Sequence, residues 1–197
     1  FVDWMATFDL DPYKGASIEV FVPDLRVKNN NTGEWSYHIQ TSIDNAGPGD
    51  LIIVTPGTYY ENVVVNQIGL TLEAQYDEVV IIDAQDSGCA ITVSKNSVTI
   101  RGFNITNSFE WADPFNSSGI KVLSNSNIIE NNRVTESYVG ILLETADSNM
   151  IVGNYIDEVD YGIFLTKSSS NSINSNTIHS ANEADIVFHH YGRDSGS

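Results

Sequence analysis

The carboxylates are the first side chains to examine for chemistry. Enzymes that hydrolyse glycosidic bonds hold an acid and a base ~5–9.5 Å apart. Three acidic groupings bear on that requirement: Asp83 with Asp86 after an apolar stretch, Asp157-Glu158 with Asp160, and Glu144, which the spacing sets one above the other with Lys167. Glu144 and Lys167 have opposite signs and make no acid–base pair, and the other two groupings read as solvated turns. An elimination on an acidic sugar calls for calcium-binding carboxylates beside an Arg or Lys base. Arg101 takes the position that Asn132 holds one repeat later, five residues after Asn96 as Asn132 is five after Asn127, and Arg133 adjoins that position. Neither has an acidic cluster near it in sequence, so no residue is assigned a catalytic role. A groove with three or more carboxylates on one wall would mark a carbohydrate-active enzyme instead.

Metal chemistry has little to draw on. The histidines are His38, His179, His189 and His190, and Cys89 and the two methionines do not cluster with them in sequence. Copper sites favour several imidazoles or soft sulfur ligands, so no metal site or cofactor is expected beyond weak calcium binding by acidic turns. Cys89 lies in the apolar run Cys89-Ala90-Ile91-Thr92-Val93 and reads as a small core residue.

Residues 108–116 are different in kind. This stretch packs Phe109, Trp111 and Phe115 around Glu110 and Asp113. Rings with acidic partners suit sugar binding or a protein contact, and Phe109, Trp111, Asp113 and Phe115 are the candidate ligand-binding residues. The alternative is that the rings fold back on the wall that carries them. Three Asn-x-Ser/Thr sequons, at Asn30, Asn104 and Asn116, are candidate glycosylation sites for a chain outside the cell.

The elements that position these groups repeat. Gly119-Ile120-Lys121-Val122, Gly140-Ile141-Leu142-Leu143 and Gly162-Ile163-Phe164-Leu165 open successive units. Each leads to an Asn-x-Ile (Asn127, Asn149, Asn171) and then to an Asn before a β-branched residue (Asn132, Asn154, Asn176), the last three 22 residues apart. Self-similarity at fixed spacing signals a solenoid. The apolar residues alternate with period two over short pieces, and Gly and Asn recur too often for helices. Stacked as coils, Ile141 lies between Ile120 and Ile163, with Leu143 between Val122 and Leu165. The asparagines fit sharp turns, since Asn tolerates left-handed dihedrals, and their side chains can hydrogen-bond along the stack. From Asn96 to Asn127 is 31 residues, nine more than a coil, and the excess falls in the aromatic stretch.

Upstream, Ile39 and Ile43 share one face of a short helix over residues 38–46, placed to cap the first coil. Residues 1–37 lie outside the repeat. They read as a strand-like segment, Ile18 to Val22 above all, that ends an upstream domain or packs along the solenoid. At 197 residues the chain holds one elongated domain, with formal charge −17 from 26 acidic and 9 basic residues. Nucleic acid is excluded as a partner, because phosphate binding needs clustered Lys and Arg. No run approaches the ~18 apolar residues of a membrane span. The chain begins at Phe1 with no signal peptide and reads as a processed product or a piece of something larger.

The stretch Ile39-Gln40-Thr41-Ser42-Ile43-Asp44-Asn45-Ala46, continued by Pro48-Gly49-Asp50 and Pro56-Gly57-Thr58-Tyr59-x-Glu61-Asn62, resembles the entry motif of right-handed parallel β-helix proteins. Within these it is most similar to NosD-like repeat domains of archaeal surface proteins; Ile128-Ile129-Glu130-Asn131-Asn132 and Tyr161-Gly162-Ile163-Phe164-Leu165 look like that family's coils. The resemblance implies an all-β, right-handed parallel β-helix of about five coils, over residues 38–190, with a short N-terminal capping helix and a tail at 191–197. It implies a non-catalytic structural or adhesive module of a cell-surface protein, meeting surface glycans or neighbouring subunits in a layer, sheath or filament. Pectate lyases and epimerases share the architecture, so a carbohydrate-active enzyme or glycan-binding module is the alternative.

Overall fold

The computed structural model describes residues 26–75, 80–108 and 116–189 in full, and the backbone of 6–11 and 16–20. The chain runs β1 (Ala6–Asp11), β2 (Ala16–Val20), β3 (Val27–Asn29), β4 (Trp35–Ser36), α1 (Ile39–Asp44), β5 (Leu51–Val54), β6 (Gly57–Tyr59), β7 (Val63–Val65), β8 (Thr71–Ala74), β9 (Val80–Asp83) and β10 (Ile91–Val93). It continues β11 (Thr99–Arg101), β12 (Asn104–Thr106), β13 (Ser118–Val122), β14 (Ile128–Glu130), β15 (Arg133–Val134), β16 (Ser137–Glu144), β17 (Met150–Val152), β18 (Tyr155–Thr166), β19 (Ser172–Asn174) and β20 (Thr177–His189).

Three short strands per turn stack in parallel on the turn before. One wall orders β5, β8, β11, β14, β17 and β19, six rungs against the about five expected. A second wall runs β6, β9, β12, β15 and a third β7, β10, β13, β16; both lead into β18 and β20, which bend through the corner between them. Ile120 pairs with Ile141 and Ile141 with Ile163, all parallel.

The core follows the alternation. Ile120, Val122, Ile129, Val134, Ile141, Leu143, Ile151, Ile156, Ile163 and Leu165 are buried, and Ile173 and Ile178 pack against them half-buried on the last rung. The glycines that open the units face inward too. A Cβ on Gly140 would come within 2.5 Å of Ile156 Cγ2 and 2.7 Å of the Gly162 carbonyl oxygen, so the branched side chain fills the room a larger residue would need.

Two asparagine ladders run up the inside. Asn149 Oδ1 accepts from the backbone N–H of Asn127 at 2.8 Å and from its Nδ2 at 2.9 Å, and Asn171 repeats this beneath Asn149. Asn132, Asn154 and Asn176 form the second ladder. The Nδ2 groups of Asn132, Asn154, Asn171 and Asn176 also donate to backbone carbonyls, as Asn154 does to Ile129 at 2.8 Å, and that of Asn127 donates to the Ser124 hydroxyl, so these amides are hydrogen-bonded as buried polar groups must be. The expected left-handed role is corrected. The positive φ values belong to the residue before each ladder asparagine: Ser126, Asn131, Ser148, Gly153, Ser170 and Ser175. Hydrogen bonding, not dihedral tolerance, selects Asn at the ladder.

The rung below corrects an alignment. Val98 and Phe103 donate their N–H groups to Asn127 and Asn132, so they, and not Asn96 and Arg101, hold the ladder positions. Val98 and Asn127 are 29 apart, seven more than the 22 of the later ladder steps and not nine. The surplus lies between Ser108, bridged to Ser137, and Ser118, paired with Val139.

The N-terminal end is closed. Glu61 accepts the backbone N–H groups of Ile39 and Gln40, both at 3.0 Å, satisfying donors that a helix start leaves unpaired. The Gln40 amide then pairs with both backbone groups of Val64, accepting at 2.7 Å and donating at 3.2 Å, as a neighbouring peptide would. Residues 26–37 join the solenoid: β3 lies antiparallel on β5, and β4 on β3. β1 and β2 form a separate antiparallel pair.

Candidate functional site

The corner between the second and third walls recurs with one backbone feature. Asn107, Glu136, Glu158 and Ser180 occupy it on successive rungs with φ between 50° and 55°. This left-handed region suits Asn and costs a glutamate more, yet two of the four are glutamates. They sit at one register on adjacent rungs, whose backbones lie ~4.8 Å apart. Asp86, also left-handed at φ 54°, and Asp160 complete a groove of about 340 Å³ shared with Asn107, Ser137, Val159 and Asn182. Four carboxylates therefore line one groove, and none of its lining residues is cationic. Sequence reading placed Asp157-Glu158 and Asp160 in a turn. They lie instead within β18 at its bend, and only the three-dimensional stack brings Glu136 and Asp86 beside them.

The groove's acids are held by their neighbours. Thr106 donates to Glu136 at 2.7 Å and Asn182 to Asp160 at 2.9 Å. Beside the groove, Tyr138 and Tyr161 meet edge to face at 5.6 Å, and Tyr161 meets Phe164 at 5.5 Å. Burial, with Tyr161 and the Asp160 carboxylate, holds the Tyr138 phenol above its usual pKa. On the same outward face Val139, Leu142 and Phe164 are buried together. Carboxylates with tyrosines alongside can accept hydrogen bonds from hydroxyl-bearing ligands, whereas an anionic chain meets like charge there.

The remaining expected groups disperse. Glu144 pairs in register with Thr166, not Lys167, and its ion pair is Lys121 at 3.1 Å. Arg101 aligns with Glu130 and lies between Glu73 at 2.7 Å and Glu130 at 3.6 Å, so it does have acidic neighbours, one rung to either side. Asp83 ends β9 rather than lying in a turn, and accepts from Asn107 and from the backbone of Gln85; Asp86 lies in the turn that follows. His38 sits by Glu61, His179 by Asp157 and His189 by Phe164; His190 lies outside the described residues. Among the described residues no three His, Cys, Asp or Glu converge as a metal site. Cys89 is half-buried rather than in the core, and burial raises its thiol pKa. Phe109, Trp111, Asp113 and Phe115 also lie outside the described residues. Asn30 and Asn116 are exposed and Asn104 is half-buried.

Known proteins agree with this architecture. A chain titled alginate lyase, from Paenibacillus sp. str. FPU-7, superposes with TM-score 0.62 at 17% identity, covering 73% of this chain and 55% of that one. A pectin methylesterase gives TM-score 0.46 at 11% identity, covering 73% and 64%. At 17% identity the likeness to the alginate lyase chain is one of fold. A cell surface glycoprotein of Methanothermus fervidus is 38% identical over 81 residues, 40% of this chain and 13% of that protein. The model for the right handed beta helix region matches residues 60–195, most of the stacked rungs, and the chain belongs to that family.

Proposed function

We propose that this chain is an extracellular β-helix module of a cell-surface protein, with a structural or adhesive rather than catalytic role. The observation that carries this reading is the 38% identity over 81 residues to an archaeal cell surface glycoprotein. The acidic balance fits, since a formal charge of −17 keeps a protein soluble and repels like surfaces. Of the strand-borne cations, Arg101 and Lys121 are engaged by glutamates, and Lys28 and Arg133 lie over the Trp35 and Tyr155 rings. Contacts with neighbouring subunits would use the side walls or the outer edge of β19 and β20. Head-to-tail strand pairing on the third wall is disfavoured at the N-terminal end, where Gln40 occupies the Val64 edge. The test is protease treatment of intact cells that make the protein. Its peptides should be released before lysis; peptides found only after lysis would overturn the reading.

The second reading is a carbohydrate-active or glycan-binding protein, and the four-carboxylate groove favours it. Glu136 and Glu158, on adjacent rungs, approach the lower limit of acid–base separation in glycoside hydrolases. With acids as its only charged lining residues, the groove favours a neutral glycan over an acidic one. Weak calcium binding at these carboxylates would relax that preference, and calcium titration of the protein's melting temperature tests it.

A further inference from the structure

We infer that the fold selects one of the three sequons, and that Asn30 is the position carrying an N-linked glycan. The inference rests on the extracellular reading above. A sequon is modified where the asparagine amide is free, its Ser or Thr hydroxyl is accessible, and the folded chain has room for a bulky polar group. The three sites differ on each count.

Asn30-Asn31-Thr32 forms the turn between β3 and β4, and residues 30–35 are all exposed. Among the described residues nothing bonds the Asn30 side chain. The turn is held from elsewhere: Asn29 Oδ1 accepts from the N–H groups of Asn31 and Thr32, and Asn29 Nδ2 donates to Asp50 at 2.8 Å. The Thr32 hydroxyl accepts a 3.3 Å bond from Glu34 N–H at the surface. Substitution at Asn30 Nδ2 therefore breaks no hydrogen bond among the described residues.

Asn104 sits mid-wall in β12, paired on one side with Ile81 and on the other with Arg133, with its Oδ1 buried. Asn116 is exposed, but its Oδ1 takes a 2.7 Å bond from Lys121, and the Ser118 of its sequon is fully buried within β13. Neither offers an amide and a hydroxyl together.

The reaction forms a bond from Asn30 Nδ2 to the anomeric carbon of an oligosaccharide carried on a lipid phosphate. The bond from that carbon to the phosphate oxygen breaks, the phosphate leaves with the electron pair, and the amide proton passes to a base of the transferase. The product lies beside β4, the edge strand of the first wall. A hydrated, bulky group there blocks strand addition at an edge that would otherwise pair with other chains.

The experiment is glycopeptide mass mapping of the full protein recovered from its native cells, with protease accessibility on intact cells measured in parallel. A sugar mass is expected on the Asn30 peptide. It should be lost in Asn30→Gln and Thr32→Ala, retained in Thr32→Ser, and unchanged in Asn104→Gln and Asn116→Gln. Circular dichroism of Asn30→Gln should match the parent. A surface-accessible protein with a bare Asn30, or with sugar on Asn104 or Asn116, overturns this inference and leaves the extracellular reading standing. A protein protected from protease until lysis, with Asn30 bare, overturns both.

Discussion

At the residue scale, stability depends on groups repeated at one register. Leu143 is enclosed by Val122 and Leu165 in the rungs on either side. Leu143→Ala should cost roughly 2–5 kcal/mol, because stacked neighbours cannot close the gap; urea unfolding measures it, and a loss under about 1 kcal/mol would contradict the register. Asn154→Ala should cost about 1–3 kcal/mol for each buried group left unpaired, since the Asn132 amide and the Ile129 carbonyl both lose a partner. Asp157 supplies a pH test. Its pKa is lowered, first by the hydrogen bond from His179. A lowered folded pKa gives stability that is present above the ordinary carboxylate pKa and lost as pH falls through the lowered value. His179→Ala should move the Asp157 titration back up, as read by carboxyl NMR shifts; an unmoved titration would mean the pair does not form in solution.

At the element scale, a six-residue helix closes the N-terminal end because side chains complete its bonding. Glu61→Ala removes the acceptor of two helix N–H groups and should cost about 0.5–2 kcal/mol, the range of a lost N-cap. Gln40→Ala unpairs the Val64 edge, so it should promote self-association, detectable by sedimentation; unchanged sedimentation would show that the edge is protected otherwise. The helix, the parallel stacking and the inward aliphatics were legible because alternation, Gly spacing and Asn spacing all recur locally. The acidic groove was not. Asp86, Glu136 and Glu158 come from three different turns, and the rung lengths that bring them together vary across the 109–115 insertion. The same variation set Arg101 two residues off its true partner, because counting from the nearest asparagine ignores pairing.

At the scale of the whole molecule, six rungs share one core and a strongly acidic exterior. Self-repulsion at −17 predicts a melting temperature that rises with added monovalent salt; a fall would show that the ion pairs of Arg101 and Lys121 outweigh the repulsion. The most direct test of a structural rather than catalytic role is product release from a panel of neutral and acidic polysaccharides, with and without calcium. The parent protein should release no oligosaccharide, and Glu136→Gln and Glu158→Gln should not differ from it. Product release that either substitution abolishes, with an unchanged melting curve, would contradict the account and make the groove an active site.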